Sequence, residues 1–121
     1  MIEPSAIALA TLCLVLTGGF GLLFALDPGR GMAAASHRPA QLPLVMSDRY
    51  IGTAFLLLGV ILWGDWWLLA WFTGVVGVAG LGDVLIYRRA GLPAGPHMIA
   101  AALYLTAAGL ALSAHMMNGQ G

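Results

Sequence analysis

The chain has no lysine, a single cysteine and very little charge, with Asp, Glu, Lys and Arg making up 8% of its 121 residues. Each scarcity closes a class. One thiol, Cys13, allows neither an internal disulfide nor a thiol pair with metal spacing, and its apolar surroundings make it a packing residue. A formal net charge of zero offers no basic face for nucleic acid and no acidic surface. GFG and GLG fall inside apolar stretches, where helix contact accounts for glycine, so there is no phosphate loop. Nothing repeats with a period of roughly twenty to fifty residues, so the chain is read as one domain, 1–121.

What remains is apolar. Hydrophobic residues make up 60% of the chain and the mean hydropathy is +0.91. No water-soluble domain of this size hides that much in one core, so the lipid bilayer is the expected partner. A hydrocarbon core about 30 Å thick needs roughly 20 helical residues, and four such pieces are present. The first runs from Pro4 to Leu26 and is closed by DPGRG; with Glu3 in its flank and a long apolar run, it is expected to be retained as a span. The third runs from Trp66 to Tyr87 with Asp65 as its N-cap, and the fourth from Pro96 to Met117. In the second, the strictly apolar part from Tyr50 to Trp63 gives only about 21 Å of helix. A start at Pro43 lengthens it to about 31 Å and draws Asp48 and Arg49 inside.

Arg30, Arg38 and Arg49 lie in or beside the first loop and Arg88 and Arg89 in the third, which makes both loops cytoplasmic. Both termini and the Gly64-Asp65 turn then face outward, with Trp63, Trp66 and Trp67 as an aromatic belt. The expected fold is all-α: an integral membrane four-helix bundle of antiparallel up-down topology, its spans 4–26, 43–63, 66–87 and 96–117. Gly18, Gly19, Gly21, Gly52, Gly59, Gly74, Gly77, Gly80 and Gly82 are expected to let these helices approach closely.

Asp83 sits near the inner end of the third span, in GLGDVLIYRRAG. An unpaired carboxylate near hydrocarbon costs at least a few kcal/mol, so a partner is expected, and Arg49 stands at a similar depth on the neighbouring helix. Phe72, Val76, Ala79, Gly80 and Tyr87 share the Asp83 stripe, where Ala79 and Gly80 leave space beside the carboxylate. His97 falls in the first turn of the fourth span, at the same cytoplasmic end, with Tyr104 on the same face. Asp48, Arg49, Asp83 and His97 therefore converge on one corner, with Tyr87 and His37 as outer members. That corner is either a fastening between helices or a site, and the residues leave both open.

DRYIGTAFLLLG, then GLGDVLIYRRAG, then the PH of GPHMIAAALYLTAAGLAL together resemble a family of small four-span membrane proteins classified only as a domain of unknown function. That family carries an Arg-Asp pair and glycine early in the second helix, Gly-Asp late in the third and a histidine opening the fourth. Arg49 and Gly52, Gly82 with Asp83, and His97 match, whereas here the acid, Asp48, precedes the arginine. The resemblance spans Val45 to Ala114; it implies the four-helix fold and the interest of the corner, and passes on no activity.

Three functions fit this equipment. In the first, the chain binds or converts a small lipophilic molecule at the corner: Asp83 and His97 act as acid and base, and Arg49 orients a carboxylate or stabilises an oxyanion. Asp48, Tyr87, Gly80 and Tyr104 line the ligand, and isomerisation, cyclisation or hydration would suit; no cofactor is named by these residues. In the second, the chain is an accessory subunit whose small-residue faces dock on a membrane-protein partner or on a second copy. The third, an oligomeric transporter, is the weakest, because small multidrug exporters carry a carboxylate deep in the first helix and Ser5 to Leu26 has no charge here. No metal is expected: His97 and His115 are about 27 Å apart along one helix, and His37 with His97 lacks a spacing motif. The expected home is a bacterial cytoplasmic membrane.

Overall fold

The computed structural model describes residues 4–118, leaving aside the side chains of residues 4–8, 10, 11 and 14. Glu3 and the two termini, which enter the sequence argument on retention and orientation, lie outside the described residues. The described chain is all-helical: α1 (Pro4–Leu26), α2 (Pro28–Ala34), a 3-10 turn (Pro39–Gln41), α3 (Leu42–Trp63), α4 (Trp66–Arg89) and α5 (Gly95–Asn118). Among the described residues, three stretches are long and apolar enough to cross a membrane, Pro39–Trp63, Trp66–Arg89 and Gly95–Asn118. Two compact units divide the chain, the first ending at Asp48 and the second beginning at Arg49.

In the first unit, DPGRG closes α1 as expected and at once opens a second helix that the sequence argument lacked. Asp27 accepts the N–H of Arg30 at 3.0 Å through its side chain, and Pro28 takes the first helical position, where its missing N–H costs nothing. Together they build an N-terminus. The short helix lies against α1 at Gly31, which is buried; a Cβ there would stand 2.8 Å from the Phe24 ring and 3.0 Å from its Cα. Only glycine fits. Ser36, at φ 56, then turns the chain, and the His37 N–H donates to the Met32 carbonyl at 2.8 Å.

The second unit contains most of α3 and the α4–α5 pair. Gly64, at φ 77, makes the left-handed residue of the turn after α3, and Asp65 caps α4 as expected by accepting the Leu68 N–H at 3.0 Å. α4 continues two residues past the expected Tyr87, through Arg88 and Arg89, whose positive charges favour a helix C-terminus. From Arg49 onward α3 packs against neither α4 nor α5, and none of its residues is buried.

α4 and α5 pack side by side along their lengths. Gly74 faces Ala108, Gly77 faces Leu105 and Gly80 faces Ala101, a register that descends on one helix as it rises on the other. The seam is small-sided: Ala70, Thr73 and Gly77 are buried from α4, Ala101 and Ala111 from α5. Thr73, 2% exposed, satisfies its hydroxyl by donating to the Leu69 carbonyl at 2.6 Å, so a buried polar group sits in the seam without an orphan. Of the nine glycines expected to serve helix contact, these three have the neighbouring helix within reach. A Cβ at Gly18, Gly19, Gly21, Gly52, Gly59 or Gly82 would meet nothing within 4 Å.

Candidate functional site

The register of the α4–α5 seam decides which polar groups meet. Asp83 follows Gly80 by three residues, and His97 precedes Ala101 by four, so the close crossing at Gly80 and Ala101 draws these two side chains together one turn further on. The His97 Nδ1 lies 3.6 Å from the Asp83 Oδ2, within ion-pair range when the imidazole is protonated. Tyr87, four residues after Asp83, sets its ring against the same imidazole, with centroids 4.4 Å apart and planes tilted by 43°. Carboxylate, imidazole and phenol therefore form one cluster on two helices. Asp83 is 53% exposed at its side chain and His97 25%, so the cluster is open on one side.

Around it, Arg88 turns to α5 rather than to Asp83, its guanidinium donating to the Met98 sulfur at 3.3 Å. Of the two roles expected of Gly80, helix contact and space for a ligand, the structure shows the first. The space beside it is taken by Ala101, whose Cβ and Cα would lie 3.2 and 3.3 Å from an added Cβ, so Gly80 sets helix spacing and leaves no room for a ligand. Tyr104 is half-buried on the α5 face that bears His97, and among the described residues its phenol makes no hydrogen bond.

The expected pairing of Arg49 with Asp83 is absent from the described residues, where the carboxylate has His97 as its partner instead. The reason is the course of α3: Arg49 is exposed on a helix that packs on neither α4 nor α5, and only its carbonyl is engaged locally, accepting from the Thr53 hydroxyl at 2.9 Å. Asp48 and His37 belong to the first unit, where His37 lies against the Phe24 ring with centroids 6.0 Å apart. No group of three or more His, Cys, Asp or Glu side chains gathers as a metal site among the described residues.

At the other end of the same pair stands His115 of α5. It stacks on Trp67, centroids 5.6 Å apart and tilted 43°. A histidine of α5 thus meets an aromatic ring of α4 at both ends of the seam. Between them run two apolar grooves that share Ala70 and Trp71, one lined also by Gly74, Val75, Val78 and Leu105, the other by Trp67, Ala108, Gly109 and Leu112. Neither touches Asp83 or His97.

No protein-family model matches the chain, and no curated protein or solved structure matches it either.

Proposed function

We propose that this chain is an integral protein of a bacterial cytoplasmic membrane, its spans completing an antiparallel four-helix arrangement with the arginine-bearing ends inside. On this reading the Asp83, His97 and Tyr87 cluster is a polar site at the cytoplasmic interface that binds, and by acid/base chemistry converts, a small lipophilic molecule. The observation that carries it is the 3.6 Å approach of the Asp83 carboxylate to His97 Nδ1. A carboxylate that closes from this distance to a hydrogen bond on Nδ1 would fix the tautomer and ring orientation and leave Nε2 to exchange a proton with a substrate. Tyr87 holds the imidazole plane from one side, and the apolar surfaces of α4 and α5 suit a molecule that arrives through the lipid. The likeness of DRYIG, GLGD and PH to the domain-of-unknown-function family fits this reading, since Asp83 and His97 are two of the five positions that match.

The test is native mass spectrometry of protein extracted in mild detergent. A small molecule retained by the unsubstituted chain and lost in both Asp83→Asn and His97→Ala supports the site. Retention unchanged in both variants refutes it.

A second reading, an accessory subunit of a larger assembly, is favoured by the uncovered faces of α3. Co-extraction of a stoichiometric partner protein, with no small molecule, would decide for it.

A further inference from the structure

We propose that α3 of a second copy of this chain docks on the Asp83 side of the α4–α5 pair and brings its Arg49 to the Asp83 and His97 cluster. The importance of this arrangement for activity rests on the proposed site, whereas the geometry below does not.

Asp83 is half exposed on a long apolar helix, and Arg49 is exposed with no ion pair among the described residues. These are opposite charges with the same need, because each is costly near hydrocarbon unless neutralised. Their depths agree. Arg49 stands about 21 Å of helix before the Gly64-Asp65 turn and Asp83 about 26 Å after it, a difference of about one turn that an arginine side chain spans. Copies inserted in the same direction therefore bring the two groups to one level. Within a single chain α3 does not lie on α4 or α5, so the matched receptor is an identical pair.

The docking faces fit as well. At 100° per residue, Arg49 shares its side of α3 with Gly52, Leu56 and Val60, and Gly52 and Gly59 meet nothing within 4 Å in their own chain. On the receiving side, Ala79 lies one turn before Asp83, and Ala100 and Tyr104 continue from His97 on α5. Small residues on both sides let the backbones approach, while the charge pair sets register and direction. By two-fold symmetry each copy gives one α3 and receives one, so both carboxylates acquire a guanidinium and the association closes at two. In the completed site Arg49 is a positioning residue from the partner, and its two-point donor geometry suits a ligand carboxylate shared with Asp83.

A charge exchange between differently tagged chains tests this. Arg49→Asp alone sets two carboxylates together and Asp83→Arg alone sets two guanidinium groups together. The mixed dimer of the two variants contains only opposite pairs. Each variant alone should lose the dimer, and co-expression should restore a mixed dimer favoured about tenfold or more over either self-dimer. Dimer formation by either variant alone at the unsubstituted level, or no mixed dimer from both, would overturn the proposal. A contact of α3 within its own chain predicts no rescue.

Should the charged variants fail to accumulate, a Cys13→Ser background carrying Gly52→Cys on one tagged chain and Ala79→Cys on the other decides. A disulfide joining the two tags supports the arrangement. A disulfide formed only inside a doubly substituted chain, or none, sinks it. Both readouts report association without any ligand, so a mixed dimer lacking a retained small molecule would reject the proposed function alone.

Discussion

Gly77 of α4 and Leu105 of α5 stand so close that a Cβ added to Gly77 would lie 2.7 Å from the Leu105 Cγ and 3.1 Å from its backbone nitrogen. The side chain could turn aside, but the backbone could not. This contact fixes the spacing of the two helices and, three and six residues further along α4, the meeting of Gly80 with Ala101 and of Asp83 with His97.

Substitution at Gly77 should therefore separate the helices. Gly77→Val is expected to destabilise the protein by about 1–3 kcal/mol through overpacking, and to loosen the Asp83 to His97 approach as well. Gly82→Ala is the control, because a Cβ there meets nothing within 4 Å and helix propensity favours alanine over glycine by about 0.5–1 kcal/mol. Thermal unfolding in detergent should rank the variants with Gly82→Ala at or above the unsubstituted chain and Gly77→Val below it. Equal midpoints would show that the seam does not limit stability.

The polar cluster predicts a division between binding and integrity. Asp83→Asn keeps the size of the side chain but removes the charge that faces His97, and both groups are partly exposed. Insertion and unfolding midpoint should change little, while any retained ligand is lost and any turnover falls by about a hundredfold or more, the scale on which a lost general acid or base is felt. If Asp83→Asn and His97→Gln instead lower the yield of folded protein equally, the cluster is a fastening between helices.

Helix α2 gives a third prediction. Asp27→Ala removes the acceptor for the Arg30 N–H and should cost about 1 kcal/mol locally, and Gly31→Val should displace α2 from Phe24 altogether. Hydrogen exchange at Arg30 through Ala34 should quicken in both variants while the seam of α4 and α5 keeps its protection. Unchanged exchange there would mean that α2 does not depend on its cap.

Helix ends were legible in the sequence where a cap or turn residue announces them. Asp65 before Trp66, the close of α1 at DPGRG and the apolar lengths of α3, α4 and α5 all appear within a few residues of where composition and capping put them, whereas the start of α2 at Asp27 and Pro28 was legible only as that close. Asp83 and His97 were also legible as neighbours, because both sit at the ends of helices joined by the short Ala90 to Ala94 connection. The partner of Asp83 was not. Depth and opposite charge pointed to Arg49, and only the seam at Gly77 and Gly80, which sets α5 and not α3 against α4, gives the place to His97. Glycine was ambiguous for a similar reason: residues 74, 77 and 80 form a row that meets α5, but the same spacing logic applied to Gly52 and Gly59 finds open space. The stacking of Trp67 on His115 follows from that register too, since the step from Gly77 back to Trp67 matches the step from Leu105 on to His115.

The proposed orientation can be tested without any ligand. All five arginines lie in or beside the two connections assigned to the cytoplasm, whereas the Gly64-Asp65 turn carries none and is flanked by exposed Trp63, Trp66 and Trp67. In a Cys13→Ser background, Leu92→Cys between α4 and α5 should react with a membrane-impermeant thiol reagent only after the cells are opened. Trp66→Cys beside the outer turn should react in intact cells. The reverse pattern would invert the topology and move Asp83 and His97 to the outer face, overturning the cytoplasmic placement of the site. Labelling of both positions from outside would mean that α4 does not cross the bilayer, because a spanning helix must separate its two ends by the full hydrocarbon thickness.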